Sequence, residues 1–169
     1  MAGGVNREGS FPHRLEEHRM SDTFYSATQE DVQNWQDGDG EYLSPARILT
    51  DLTEEQATTV PPGSPYSVAQ VLAHMHYFQG RRFAKMRGET WPDAEHLADT
   101  FAPIVPGTWK KLVPAFLSDL EAIKRLADEK AEYSYVGRAL HNGYHLGQIV
   151  LLRQMLKLWP PAGGEDYDF

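Results

Sequence analysis

No cysteine occurs anywhere in the 169-residue chain. That absence excludes disulfide stapling, thiolate-ligated zinc, iron–sulfur clusters and a thiol nucleophile supplied by the protein. A thiol can enter the chemistry only on a cofactor or a substrate. Extended basic runs are missing as well. The formal charge is −8, the pI is about 5.3, and no basic cluster exceeds the short stretches Gly80–Arg82 and Trp109–Lys111. Phosphate backbones attract basic surfaces, so no nucleic-acid partner is expected. Long apolar runs are also lacking. Ile149–Leu152 is cut by Arg153 and then Lys157, far short of the roughly 20 apolar residues a membrane-spanning helix needs. The N-terminus has no apolar secretory core, so a cytoplasmic location and no membrane partner are expected. No stretch alternates with period two between turn signals, and no sheet is predicted.

What is present is helical periodicity with clear punctuation. The length suits one domain with one core. Residues 1–20, with paired glycines, Pro12 and mixed charge, read as a flexible tail, and Met20 offers an alternative start. Residues 21–161 read as the helical body, and 162–169 as an acidic C-terminal tail. Ser21 to Trp35 is a candidate first helix, broken at Asp37-Gly38-Asp39-Gly40. Ser44-Pro45 restarts a helix with a cap and a proline at its first position. Thr53-Glu54-Glu55-Gln56 resembles a capping box, so 21–58 reads as one broken helical arm. Pro61-Pro62-Gly63 forces a loop. Ser67 then caps a second long helix with apolar residues at Val68, Val71, Leu72, Met75 and Phe78, closed by Gly88. Residues 89–106 read as a long connection pinned by Trp91, Phe101 and Ile104. A third helix is expected over Gly107–Lys130, with Pro114 inside it, and a fourth over Glu132–Leu158. Four long helical segments predict an all-α four-helix bundle.

The sharpest local feature is His141-Asn142-Gly143-Tyr144-His145-Leu146-Gly147-Gln148. Residues four apart on a helix stack on one face, so two imidazoles can reach a common ion from consecutive turns. Leu140, Tyr144, Gly147 and Leu151 form the strip adjoining this face, which itself continues through Leu152, Met155 and Trp159. The histidines are therefore read as lying beside or within an inward-facing stripe. Buried imidazoles need partners, and one metal ion satisfies both. Gln148 shares the face and can orient a ligand, hold water or touch substrate. Tyr144 is read first as a core aromatic and second as a proton donor. His74, between Val71 and Phe78 on an apolar stripe, is chosen as the third ligand. His76 lies about 200° around the helix from it and should point elsewhere. Three neutral imidazoles leave coordination positions open, the pattern of a catalytic rather than a closed structural site. Zinc is the first expectation, with nickel, cobalt, iron or copper allowed by the affinity order. A bound water or incoming thiol would be activated there. H-E-x-x-H, P-loop, G-x-G-x-x-G and G-x-S-x-G motifs are all absent.

Ser67-Val68-Ala69-Gln70-Val71-Leu72-Ala73-His74 and His141-Asn142-Gly143-Tyr144-His145-Leu146-Gly147-Gln148-Ile149 resemble the second-helix and last-helix signatures of the DinB-like (YfiT-type) metal-binding bundle superfamily. Asp51–Ala57 with the following Pro-Pro-Gly loop, and the run into Trp159-Pro160-Pro161, are similar to it too. The resemblance covers roughly residues 42–161. It implies an up-down-down-up bundle, often a homodimer, with a metal triad that falls on His74, His141 and His145. It also implies a reaction range that includes thiol S-transfer with a low-molecular-weight thiol and thiol-dependent isomerisation. The functional expectation is thus a metal-dependent thiol S-transferase or hydrolase acting on a small electrophilic substrate. The alternative is a non-catalytic metal- or ligand-binding stress-response protein.

Overall fold

A computed structural model describes residues 43–129 and 133–163, together with Asn34, Asp37 and Gly38. The expected first helix over Ser21–Trp35 and the tail over 1–20 lie outside the described residues, apart from Asn34. The architecture is all helical, with no strand among the described residues. Two short helices come first, α1 (Pro45–Leu49) and α2 (Glu54–Thr58). Three long ones follow: α3 (Val68–Arg87), α4 (Trp109–Glu129) and α5 (Tyr133–Met155).

The helix starts follow from local chemistry. The Ser44 hydroxyl accepts from the Arg47 amide, with Pro45 at the first helical position. Thr53 and Gln56 form a reciprocal capping box on α2, and Ser67 and Gln70 form another on α3. Gly88, at φ 69°, ends α3 in the left-handed conformation that a side chain disfavours. Pro114 falls in the second turn of α4, where its missing N–H leaves the Lys110 carbonyl without its i+4 amide partner.

Helix α3 packs against both α4 and α5, while α1 bridges α4 and α5. The core is built from Val68, Leu72 and Met75 of α3, from Trp109, Phe116 and Leu120 of α4, and from Leu146, Ile149 and Leu152 of α5. Each such burial contributes about 1.5–3 kcal/mol. A buried arginine ties the short helices to α5. Arg153, 2 % exposed, donates to the carbonyls of Ile48 and Thr50 at the end of α1 and to Leu158, and its guanidinium lies 5.8 Å from the Trp159 ring. Those carbonyls have no helical partner, so the charge satisfies groups that would otherwise be orphaned. Lys124 of α4 reaches Asp37 with both carboxylate oxygens at 2.8–2.9 Å.

Two expectations need correction. Leu140, Tyr144 and Leu151 stand out into solvent at 70, 67 and 55 % exposure, and Met155 is exposed as well. The inward stripe of α5 instead runs through Asn142, His145, Leu146, Ile149, Leu152 and Arg153. The His141–His145 pair sits at the edge of that stripe, so apolar residues on its outer side lie over solvent. Tyr144 is accordingly not a core aromatic. The connection over 89–106 is also more ordered than expected. It contains a 3-10 turn at Leu97–Phe101 that packs on α3.

Trp91 in that connection closes on α3 at Gly80. A Cβ at Gly80 would overlap the six-membered ring of the indole. Gly80→Ala gains about 1 kcal/mol of helix propensity but must displace Trp91, at about 1–3 kcal/mol for overpacking. The expected result is a lower melting temperature with a shifted tryptophan fluorescence. A higher melting temperature with unchanged emission would show that the indole does not close on this glycine.

Candidate metal centre

The site begins with the register of α3 and α5. Ser67 and Gln70 set where α3 starts, and seven residues on, two helical turns, comes His74. In α5 the four-residue spacing places His141 and His145 one above the other. The two helices pack together, and the three rings meet. Ring centroids are 4.6 Å apart for His74–His145, 4.5 Å for His141–His145 and 5.5 Å for His74–His141. One nitrogen from each residue lies within 4.8 Å of the others, a set that can hold a metal ion. His74 and His145 are buried and His141 is partly open. His76 points away, as expected, with its Nδ1 3.0 Å from Asp119 Oδ2, an ion-pair contact without hydrogen-bond geometry. His96 is exposed, and His13 and His18 lie outside the described residues.

The tautomers follow from the neighbours. The Thr100 hydroxyl donates to the Leu97 carbonyl at 2.6 Å. Its oxygen therefore accepts from His74 Nδ1, also at 2.6 Å, and Nδ1 carries the proton. Gln148 Oε1 lies 2.6 Å from His145 Nδ1, and an amide oxygen only accepts, so that Nδ1 is protonated too. In both rings the lone pair is left on Nε2. This is the usual arrangement of ligating histidines, whose second nitrogen donates to an outer acceptor that sets ring orientation. Gln148 thus holds the His145 ring in place. Its Nε2 donates to the Tyr144 hydroxyl at 3.4 Å, which gives that exposed tyrosine a place at the rim.

Aromatic rings wall the site. Phe101 stacks on His74 at 3.9 Å with 13° between planes, and Tyr66 stacks on the other face of Phe101 at 4.2 Å. Phe78 meets His74 and His141 edge-on at 4.9 and 5.6 Å. The amide of Gln70 donates to the Phe101 carbonyl at 2.7 Å, so the residue that closes the α3 cap also holds the turn against the site. Thr100, Phe101 and Gln70 were not singled out as site residues from the sequence. The Ser67 cap is readable there, but nothing in residues 89–106 signals that the turn returns to His74.

A bare divalent ion prefers neutral imidazoles, and burial favours the same form. Removal from water pushes the His145 pKa below the ordinary imidazole value, while the Gln148 acceptor pulls partly the other way. The donor set therefore fits a metal bound through nitrogen alone.

A family model described as the DinB superfamily matches residues 46–149, more than half of the chain and inclusive of all three histidines. No curated protein and no solved structure matches the chain.

The lowered His145 pKa makes stability depend on pH. On acidification the unfolded chain takes up this proton before the folded chain does, so stability is complete above about pH 6.5 and declines below it. Calorimetric melting of metal-free protein from pH 8 to pH 5.5 should show a falling Tm below that point, with a shallower fall in His145→Gln. A Tm that rises on acidification would contradict the burial of a neutral imidazole.

Proposed function

The chain belongs to the DinB superfamily, and from the convergence of His74, His141 and His145 we propose that it is a metal-dependent enzyme acting on a small electrophilic substrate. The metal is divalent, with zinc the first choice and nickel the second. The reaction class is S-transfer from a low-molecular-weight thiol, or hydrolysis. When bound, such an ion supplies Lewis-acid activation of a thiol or water. The chain's own residues do the rest. His74 and His145 present Nε2, with Thr100 and Gln148 holding their Nδ1 protons in place. Phe101 and Phe78 keep the rings oriented and exclude water from two sides.

One observation carries the catalytic reading over a non-catalytic metal-binding one. His141 is only partly buried, so the ligand set is open to solvent on one side. A closed structural site has no use for such an opening, whereas a substrate needs one.

The proposed topology is an up-down-down-up four-helix bundle in which residues 21–35 supply the first helix. Lys124 of α4 holds Asp37, which follows that stretch in sequence. A second copy of the chain is the proposed partner for the outer face of α5. Leu140, Tyr144, Leu151 and Met155 recur along it at spacings of four, seven and four, around exposed Gly147. Sedimentation should give a dimer for the wild type and a monomer for Leu151→Lys; a monomeric wild type would rule the dimer out.

The functional test uses protein without a polyhistidine tag. Elemental analysis should find about one divalent ion per chain, lost in His141→Ala and His145→Ala together with a drop in thermal stability. Consumption of a thiol in the presence of an electrophile should require the bound metal and stop on chelation. Metal-replete protein that turns over neither a thiol with an electrophile nor a hydrolysable ester would overturn the enzymatic reading.

A further inference from the structure

The cavity beside the triad has a chemical polarity that bears on what enters it. Along α3, His74, Phe78 and Arg81 follow one another at i, i+4 and i+7, which places them on one face of the helix. Seven residues span about 10 Å of helix axis. The cavity therefore has Thr100, whose hydroxyl oxygen meets His74 Nδ1, at one end and a guanidinium at the other. Between them its walls are Tyr77, Phe78 and Leu97, with Asp93 facing Arg81.

Asp93 holds Arg81 at 3.1 Å. Its position is set by Tyr77, whose hydroxyl donates to the Pro92 carbonyl at 2.8 Å and accepts from the Ala94 amide at 2.8 Å. The loop is thus clamped on both sides of Asp93, and the carboxylate is presented to the guanidinium. Both side chains remain more than half exposed, at 53 and 75 %, and an ion pair in that setting contributes little. A ligand carboxylate can replace it at small cost, because guanidinium binds any carboxylate through the same paired donors.

We propose that Arg81 is a specificity-determining residue, and that the cavity takes an elongated monocarboxylate whose apolar body lies on Phe78, Tyr77 and Leu97 while its far end reaches Thr100. Asp93 occupies the carboxylate position until the ligand arrives. The proposal rests on the reading of this region as one that takes a small substrate; recognition at Arg81 needs no metal.

The probe is 4-phenylbutyrate, compared with its neutral amide by titration calorimetry at fixed ionic strength. Wild-type protein is expected to bind the acid at least tenfold more tightly than the amide. Arg81→Gln should abolish that preference and leave the amide unchanged. Asp93→Asn should tighten the acid several-fold by removing its competitor. The same measurements on chelator-stripped protein separate the two readings. A preference that persists without metal and depends on Arg81 supports this inference even if elemental analysis finds no ion. A preference that survives Arg81→Gln, that vanishes with the metal, or that is absent from the wild type overturns it, whatever the metal content.

Discussion

Two imidazoles withdrawn from water at one point of a helical core impose the condition on which the rest of this structure depends. Each must be neutral, and each must give its remaining N–H to an acceptor. His74 meets the condition through Thr100, and His145 meets it through Gln148. Both acceptors select the same tautomer, with the lone pair on Nε2. Add the partly open ring of His141, and three nitrogen donors share one small volume. The acceptor on His74 does not come from α3 or α5. It comes from the 3-10 turn in the connection between α3 and α4, so the turn must be in place for the site to be set.

That dependence explains several features that look unrelated one by one. Gln70 completes the α3 cap and also holds the Phe101 carbonyl. Phe101 covers the face of His74. Tyr77 and Gly80 receive the earlier part of the same connection, through the Pro92–Ala94 clamp and the Trp91 indole. One face of α3 thus seats the whole connection, and the connection returns two residues, Thr100 and Phe101, to the histidine on that face. The cavity lies between them, where a loop supported by a rigid helix commonly forms a binding surface.

The helical class and the helix starts were legible because they depend on local chemistry. Ser67, Thr53 with Gln56, Ser44 with Pro45, and Gly88 all act within a few residues of themselves. The choice of His74 over His76 was legible from helical phase alone. Thr100 was not, since its role arises from a contact across 26 residues in a segment with no periodicity. The outer face of α5 was misread for a different reason. Leu140, Tyr144, Gly147 and Leu151 repeat as regularly as a buried stripe does, and periodicity does not say which of two neighbouring apolar strips is covered. Arg153 is the converse case: a charge that looked like an interruption of an apolar run is one of the most buried side chains, held by carbonyls of a helix more than a hundred residues earlier.

X-ray absorption at the metal edge of the loaded, tag-free protein examines the shared coordination of the three rings most directly. The account predicts three imidazole nitrogens at about 2.0–2.1 Å, with the multiple-scattering signature of intact rings, falling to two in His74→Ala. A first shell made only of oxygen, or an imidazole count unaffected by loss of His74, would contradict it.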